Sequence, residues 1–194
     1  MAKLEILTYP NPRLRDVSTP VDVFDQKLAK LVEDMLETMY HAQGIGLAAP
    51  QVGVAKQILV IDTRARFKKD SAEMEEEEQT ELEQKIQQPL ILINPQIVKG
   101  QGKTTYDEGC LSVPSYYETV ERFEVVEISA QNVKGETFTF KTDGLLAICV
   151  QHEMDHLEGK LFIDRISFLK SQKIKNQITK QGYPKKKADK NLSS

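Results

Sequence analysis

Two cysteines in 194 residues give this chain no disulfide framework. They stand in no paired pattern, which fits a reducing compartment where a thiol is inert or ligates a metal. The expected address is the cytoplasm. No apolar run approaches the ~20 residues of a membrane helix, and Met1–Asp16 lacks the apolar core of a signal peptide. A membrane partner is therefore not expected. Internal repeats are also missing. What remains is 40% hydrophobic and 28% charged residues, with eight prolines and ten glycines. That balance excludes a mainly disordered chain and fibrous folds, and supplies enough apolar side chains for a core.

The net charge of −3 hides an asymmetry. Eight acidic and no basic residues lie between Asp70 and Glu83. From Asp164 to Ser194, nine Lys or Arg face two Asp, so this end carries +7 and the rest −10. Like-charge blocks are usually solvated tails, although a basic one also suits RNA.

Leu4–Leu7 alternates with period two before Tyr9-Pro10-Asn11-Pro12 breaks it. Leu28, Leu31, Val32, Met35, Leu36 and Met39 recur at helical spacing behind Asp25, predicting an amphipathic helix over 25–41. Gly44–Gly53 reads as an apolar, glycine-rich loop. Ile58–Ile61 and Leu90–Ile93 read as buried strands, separated by a polar, acidic excursion over 64–89. Phe123–Ser129 and Thr137–Lys141 flank a Lys134-Gly135 turn and predict a hairpin. An apolar helix follows Asp143, and a last one from Ser167 carries Phe168, Leu169, Ile174 and Ile178 until Gly182 and Pro184. The fold class is α+β: mostly antiparallel sheets around a buried central helix, with an N-terminal amphipathic helix and a C-terminal helix. Residues 1–166 form the expected catalytic domain, with 64–89 as a surface insertion; 167–194 form a basic helix and tail.

His152-Glu153-Met154-Asp155-His156 is an H-E-x-x-H pentad on the central helix. A helix puts residues i and i+4 on one face, so both imidazoles can reach one ion. Glu153 then adjoins a metal-held water without ligating. The third ligand identifies the enzyme class. A metzincin needs histidine where Phe162 stands, and the segment downstream is too short and lysine-rich for a thermolysin-like glutamate. Cys149 is seven residues from His156, about 10.5 Å along the axis, too far for both to share an ion on a straight helix. Cys110 remains, in Glu108-Gly109-Cys110-Leu111-Ser112-Val113-Pro114.

Three blocks in this order resemble the peptide deformylase family: Gly44-Ile45-Gly46-Leu47-Ala48-Ala49-Pro50-Gln51, Glu108-Gly109-Cys110-Leu111-Ser112 and Gln151–Gly159. The resemblance extends from Tyr9 to about Ser167, and the acidic excursion is its main departure. It implies hydrolysis of the formyl group from N-formylmethionyl nascent peptides, with release of formate. Cys110, His152 and His156 would hold one divalent ion, and Glu153 would shuttle the proton. The Gln51 amide and the Leu111 N–H would stabilise the oxyanion. Gly44 and Gly46 would let the peptide lie alongside as an added strand. Ile45, Leu145, Ile148 and Cys149 would line the methionine pocket, and Arg122 would contact the peptide further along. The family works with Fe(II), expected in the cell; Zn(II), Ni(II) or Co(II) are expected in purified protein.

Two other readings share the pentad: a zinc endopeptidase, and a non-catalytic, metal-stabilised module that docks on RNA. Glu153 and Gln51 count against the module, which needs neither. Because a nascent chain emerges from the RNA-rich ribosome, the +7 segment is expected to bind there and to take no part in the chemistry. No DNA partner is expected.

Overall fold

Ile58, Leu59, Val60 and Ile61 are all buried, because the strand they form is covered on both faces and both edges. The computed structural model describes residues 3–64 and 79–184. Its main sheet has the order β1-β2-β3-β6-β7, formed by Gly46–Ala48, Ile58–Ile61, Leu90–Gln101, Val125–Gln131 and Thr137–Thr142, every pair antiparallel. A separate two-stranded sheet joins β4, Thr104–Cys110, to β5, Val113–Arg122.

Helix α1, Gln26–His41, begins where the Asp25 carboxylate accepts the Leu28 N–H at 2.9 Å. It lays Leu28, Val32, Met35 and Met39 against Leu47, Ile58 and Val60 on one side of the sheet. Helix α3, Gly144–Leu157, fills the other side, where Leu146, Ala147 and Val150 pack on Leu59, Ile61, Val126 and Ile128. All but two of its fourteen residues are buried, so its sequence shows no polar face. That burial fixes whatever side chains it carries.

Four expectations change. Leu4–Leu7 forms no strand; Leu4 and Ile6 pack on the α1 cluster, and the Leu7 N–H donates to the Gln51 carbonyl at 2.7 Å. The stretch expected as a glycine loop is instead strand β1 followed by a 3-10 turn, Ala49–Val52. Phe168 and Leu169, expected on the docked face of the last helix, are 74% and 80% exposed. Helix α4, Phe168–Gln181, docks instead through Ile174 and Ile178 against Val113, Val120 and Phe162.

The fourth change concerns the acidic excursion, of which 65–78 lie outside the described residues. Its far end is no surface feature. Glu83, in the short helix α2, Glu81–Gln84, is 1% exposed and accepts the Leu146 N–H at 2.6 Å. Asp143 makes no side-chain cap, so a glutamate 63 residues earlier caps α3 and sets a negative charge at its positive end. Thr80-x-x-Glu83 is a capping box, hidden in sequence by the acidic run around it. Gln88 ties the excursion down by accepting from the Thr63 N–H at 2.7 Å.

Candidate active site

Cys110 ends β4, at the turn where β4 reverses into β5 and Cys110 pairs with Val113. Pro114 is accommodated inside β5 because a two-stranded sheet has only edge strands. The hairpin end faces α3, whose His152 and His156 stand one turn apart with ring centroids 5.2 Å apart. The ligating atoms of Cys110, His152 and His156 all lie within 4.8 Å of one another. His156 Nε2 is 3.3 Å from Cys110 Sγ, a normal separation for two ligands on one tetrahedral ion with bonds of about 2.0–2.3 Å. Cys149 lies outside this trio, its buried thiol 3.7 Å from the Ile45 carbonyl.

The surroundings treat the two imidazoles differently. His152 Nδ1 is 2.8 Å from Glu108 Oε2, which leaves Nε2 as its ligating atom. Burial alone would lower the His152 pKa, but Cys110 and Glu108 outweigh it and hold it well above the ordinary value. Burial, with the nearby His152 and Arg122 charges, pushes His156 the other way, toward the neutral form that metals bind. Burial also keeps Cys149 a thiol. One soft sulfur, two imidazole nitrogens and a carboxylate behind one of them suit a divalent transition metal.

Glu153 is 4% exposed, and burial pushes its carboxyl up to about 7. Its Oε1 lies directly against Gly46, where a methyl would overlap it and come 2.8 Å from Cys149 Sγ. Gly46 is thus dictated by the carboxylate beside it. Gly44 serves Leu111 in the same way, since a methyl there would stand 2.7 Å from the leucine side chain. Because β1 is the outermost strand of the main sheet, its second edge has no partner strand among the described residues. Gln51 is 1% exposed, and its Oε1 accepts the Ala48 N–H at 2.7 Å. That bond fixes which end of the amide is oxygen. Nε2 therefore points at the ligands, donating to Ser112 Oγ at 3.2 Å and approaching Cys110 Sγ at 3.6 Å.

Leu145, Ile148 and Cys149 follow helical spacing toward His152, so one face of α3 carries them and the first imidazole. Leu145 and Ile148 retain 7% exposure, and Ile45 packs against the cluster that contains Cys149.

Arg122 is the expected site residue that must be reassigned. It is 4% exposed; Nε and Nη2 donate to the two oxygens of Glu108 at 2.7 and 2.8 Å, and Nη1 donates to Asp155 at 2.7 Å. Its side chain is 2% exposed, so burial closes the guanidinium to a peptide at the surface. The role it has is to hold Glu108, which holds His152. Burial would raise the carboxyl pKa values of Glu108 and Asp155. Hydrogen bonds from Arg122 and His152 to Glu108, and from Arg165 and Arg122 to Asp155, hold both below the ordinary range instead.

Sequence reasoning missed Glu108, Ser112 and Gln151 as supports. Gln151 pins α3 to the end of β5, accepting from the Phe123 N–H at 2.9 Å and donating to its carbonyl at 3.0 Å. All three lie inside or beside the motif blocks, where a polar residue flanking a ligand was the available signal.

The family model for polypeptide deformylase matches residues 3–172. The peptide deformylase of Neisseria meningitidis is 48% identical over 181 residues, 93% of this chain and 97% of the relative. Among solved structures, a peptide deformylase from Legionella pneumophila superposes with a TM-score of 0.77 at 41% identity, covering 92% of this chain and 95% of that one. One from Synechococcus elongatus in complex with actinonin gives 0.77 at 39% identity, covering 95% and 91%.

Proposed function

This chain belongs to the polypeptide deformylase family and is a metal-dependent deformylase of N-formylmethionyl peptides, and from that premise we propose how its residues divide the work. The observation that carries the assignment is the convergence of Cys110, His152 and His156 within 4.8 Å, with Glu153 and Gln51 beside them. The endopeptidase and the RNA-binding module are not favoured.

Cys110, His152 and His156 would hold the ion. When bound, a divalent metal supplies Lewis acidity, which polarises a carbonyl and lowers the pKa of water. Glu153 accepts a proton from the attacking water and returns it to the departing amine. A carboxyl buried toward neutrality suits that exchange. Gln51 Nε2–H and the Leu111 N–H donate to the oxygen that becomes negative as water adds to the formyl carbon. The peptide pairs along the open edge of β1, with Gly44 and Gly46 permitting close approach. Its methionine side chain enters between Ile45 and the Leu145, Ile148 and Cys149 face of α3. The ion is proposed to be Fe(II) in the cell, with zinc, nickel or cobalt in purified protein, since one thiolate and two imidazoles accept all four.

Gln51→Leu tests the oxyanion assignment. Losing one such donor raises barriers by ~2.7–4 kcal/mol, so kcat is expected to fall at least about a hundredfold, with metal content and melting temperature near wild type. Turnover within a few-fold of wild type would remove Gln51 from the oxyanion site.

Residues 167–194 are proposed to meet the ribosome, in the cytoplasm, by charge; Lys185, Lys186, Lys187 and Lys190 of that segment lie outside the described residues. Replacing Lys173, Lys175, Lys180 and Lys185–Lys187 by Glu is expected to reduce low-salt co-sedimentation with ribosomes. Unaltered co-sedimentation would discard this contact. Among the described residues, no helix is long and apolar enough to cross a membrane.

A further inference from the structure

The chain beyond α4 returns to the catalytic centre. Gly182 takes φ +71°, which ends the helix and turns the backbone so that Tyr183 points inward. The Tyr183 hydroxyl donates to the Tyr9 carbonyl at 2.7 Å and lies 3.3 Å from the Ser112 carbonyl. Tyr9 and Ser112 are themselves joined, since the Tyr9 N–H donates to the same Ser112 oxygen at 2.8 Å. The ring packs edge-on against Tyr116 at 6.3 Å, in the cluster that includes Cys110. Burial and the nearby Cys110 raise the hydroxyl pKa, so it stays protonated and able to donate.

Ser112 is the hub of the metal-facing loop. Its N–H points at Cys110 Sγ at 3.4 Å, and its Oγ accepts from Gln51 Nε2 at 3.2 Å. Whatever fixes the Ser112 backbone therefore fixes both the thiolate and the amide that faces the forming oxyanion. Two segments do so through one carbonyl, one from the start of the chain and one from its far end.

We infer that Tyr183 is a positioning residue for deformylation, holding Ser112 so that Cys110 and Gln51 keep their alignment. This rests on the proposed roles of Cys110 and Gln51, and it gives the C-terminal segment a part in the chemistry that its charge alone does not suggest. Tyr183 touches neither substrate nor metal in this role. It acts through Ser112.

Tyr183→Phe keeps the ring against Tyr116 and removes only the hydroxyl. One neutral hydrogen bond corresponds to about a three- to tenfold change, and that is the expected fall in kcat, with KM and melting temperature near wild type. Anaerobic Co(II)-substituted protein supplies a readout besides turnover, because the thiolate-to-cobalt absorption band reports the Cys110 bond. That band is expected to shift in Tyr183→Phe. In a cycle with Ser112→Ala, the two losses of kcat are expected not to add, since both substitutions act on one hub. Wild-type kcat and an unshifted band in Tyr183→Phe would overturn the inference, as would full additivity with Ser112→Ala. Wild-type protein lacking any thiolate band would overturn the Cys110 assignment itself, and the inference with it.

Discussion

Glu153→Gln is expected to keep the fold and the metal while releasing formate at least about a hundredfold more slowly, the lower end for a positioned general acid–base. The substitution conserves shape where shape matters most. Glu153 Oε1 sits against Gly46, and the residue is 4% exposed, so a smaller side chain would open a hole and a larger one would not enter. Oε2 has no protein hydrogen-bond partner among the described residues, so the glutamine breaks no existing bond at that atom. What it loses is the ability to take a proton and give it back. Metal analysis and a thermal melt on the same sample separate that loss from damage to the site. A variant with full metal and a wild-type rate would make Glu153 only structural.

Arg122→Met is expected to destabilise the protein by about 3–5 kcal/mol, the usual effect of removing one partner from a buried ion pair. Glu108 and Asp155 are 4% exposed each, and the guanidinium between them makes three hydrogen bonds of 2.7–2.8 Å. Arg165 still reaches Asp155, but among the described hydrogen bonds Glu108 keeps only His152. The urea midpoint is therefore expected to drop sharply, and metal content with it. Acid adds a check on the sign. Both carboxyls titrate below their ordinary values, so their contribution is complete above the unfolded pKa of about 4 and fades as pH falls through the lower folded values. The variant is expected to show a weaker acid dependence, kept in part because Arg165 still donates to Asp155 and His152 still pairs with Glu108. A raised KM with unchanged stability would instead restore Arg122 to the peptide.

The histidine pair was legible in the sequence because it is local. His152 and His156 are related by one helical turn, and the apolar run before them announced a buried helix. Asp25 as a cap and the hairpin of β6 and β7 were legible for the same reason. What failed was long-range. Arg122 on β5 looks like an exposed charge until β4 pairs with it and α3 packs beneath, bringing Glu108 and Asp155 to its guanidinium. Glu83 was lost among its acidic neighbours, although its carboxylate meets the first turn of α3. The Gly44 and Gly46 assignment was incomplete, because their crowding by Leu111 and Glu153 comes from segments far along the chain. In each case one residue answers to a partner at least fourteen positions away, which periodicity and spacing do not encode.

The most direct measurement is formate release from formyl-Met-Ala beside its unformylated analogue, using protein purified without oxygen, then stripped by chelator, then reloaded with Fe(II). The expected result is formate from the formylated peptide alone, lost on stripping and recovered on reloading, with one ion per chain. Cleavage of the unformylated peptide at a comparable rate, or formate release undiminished after complete metal removal, would contradict a metal-dependent deformylase built on Cys110, His152 and His156.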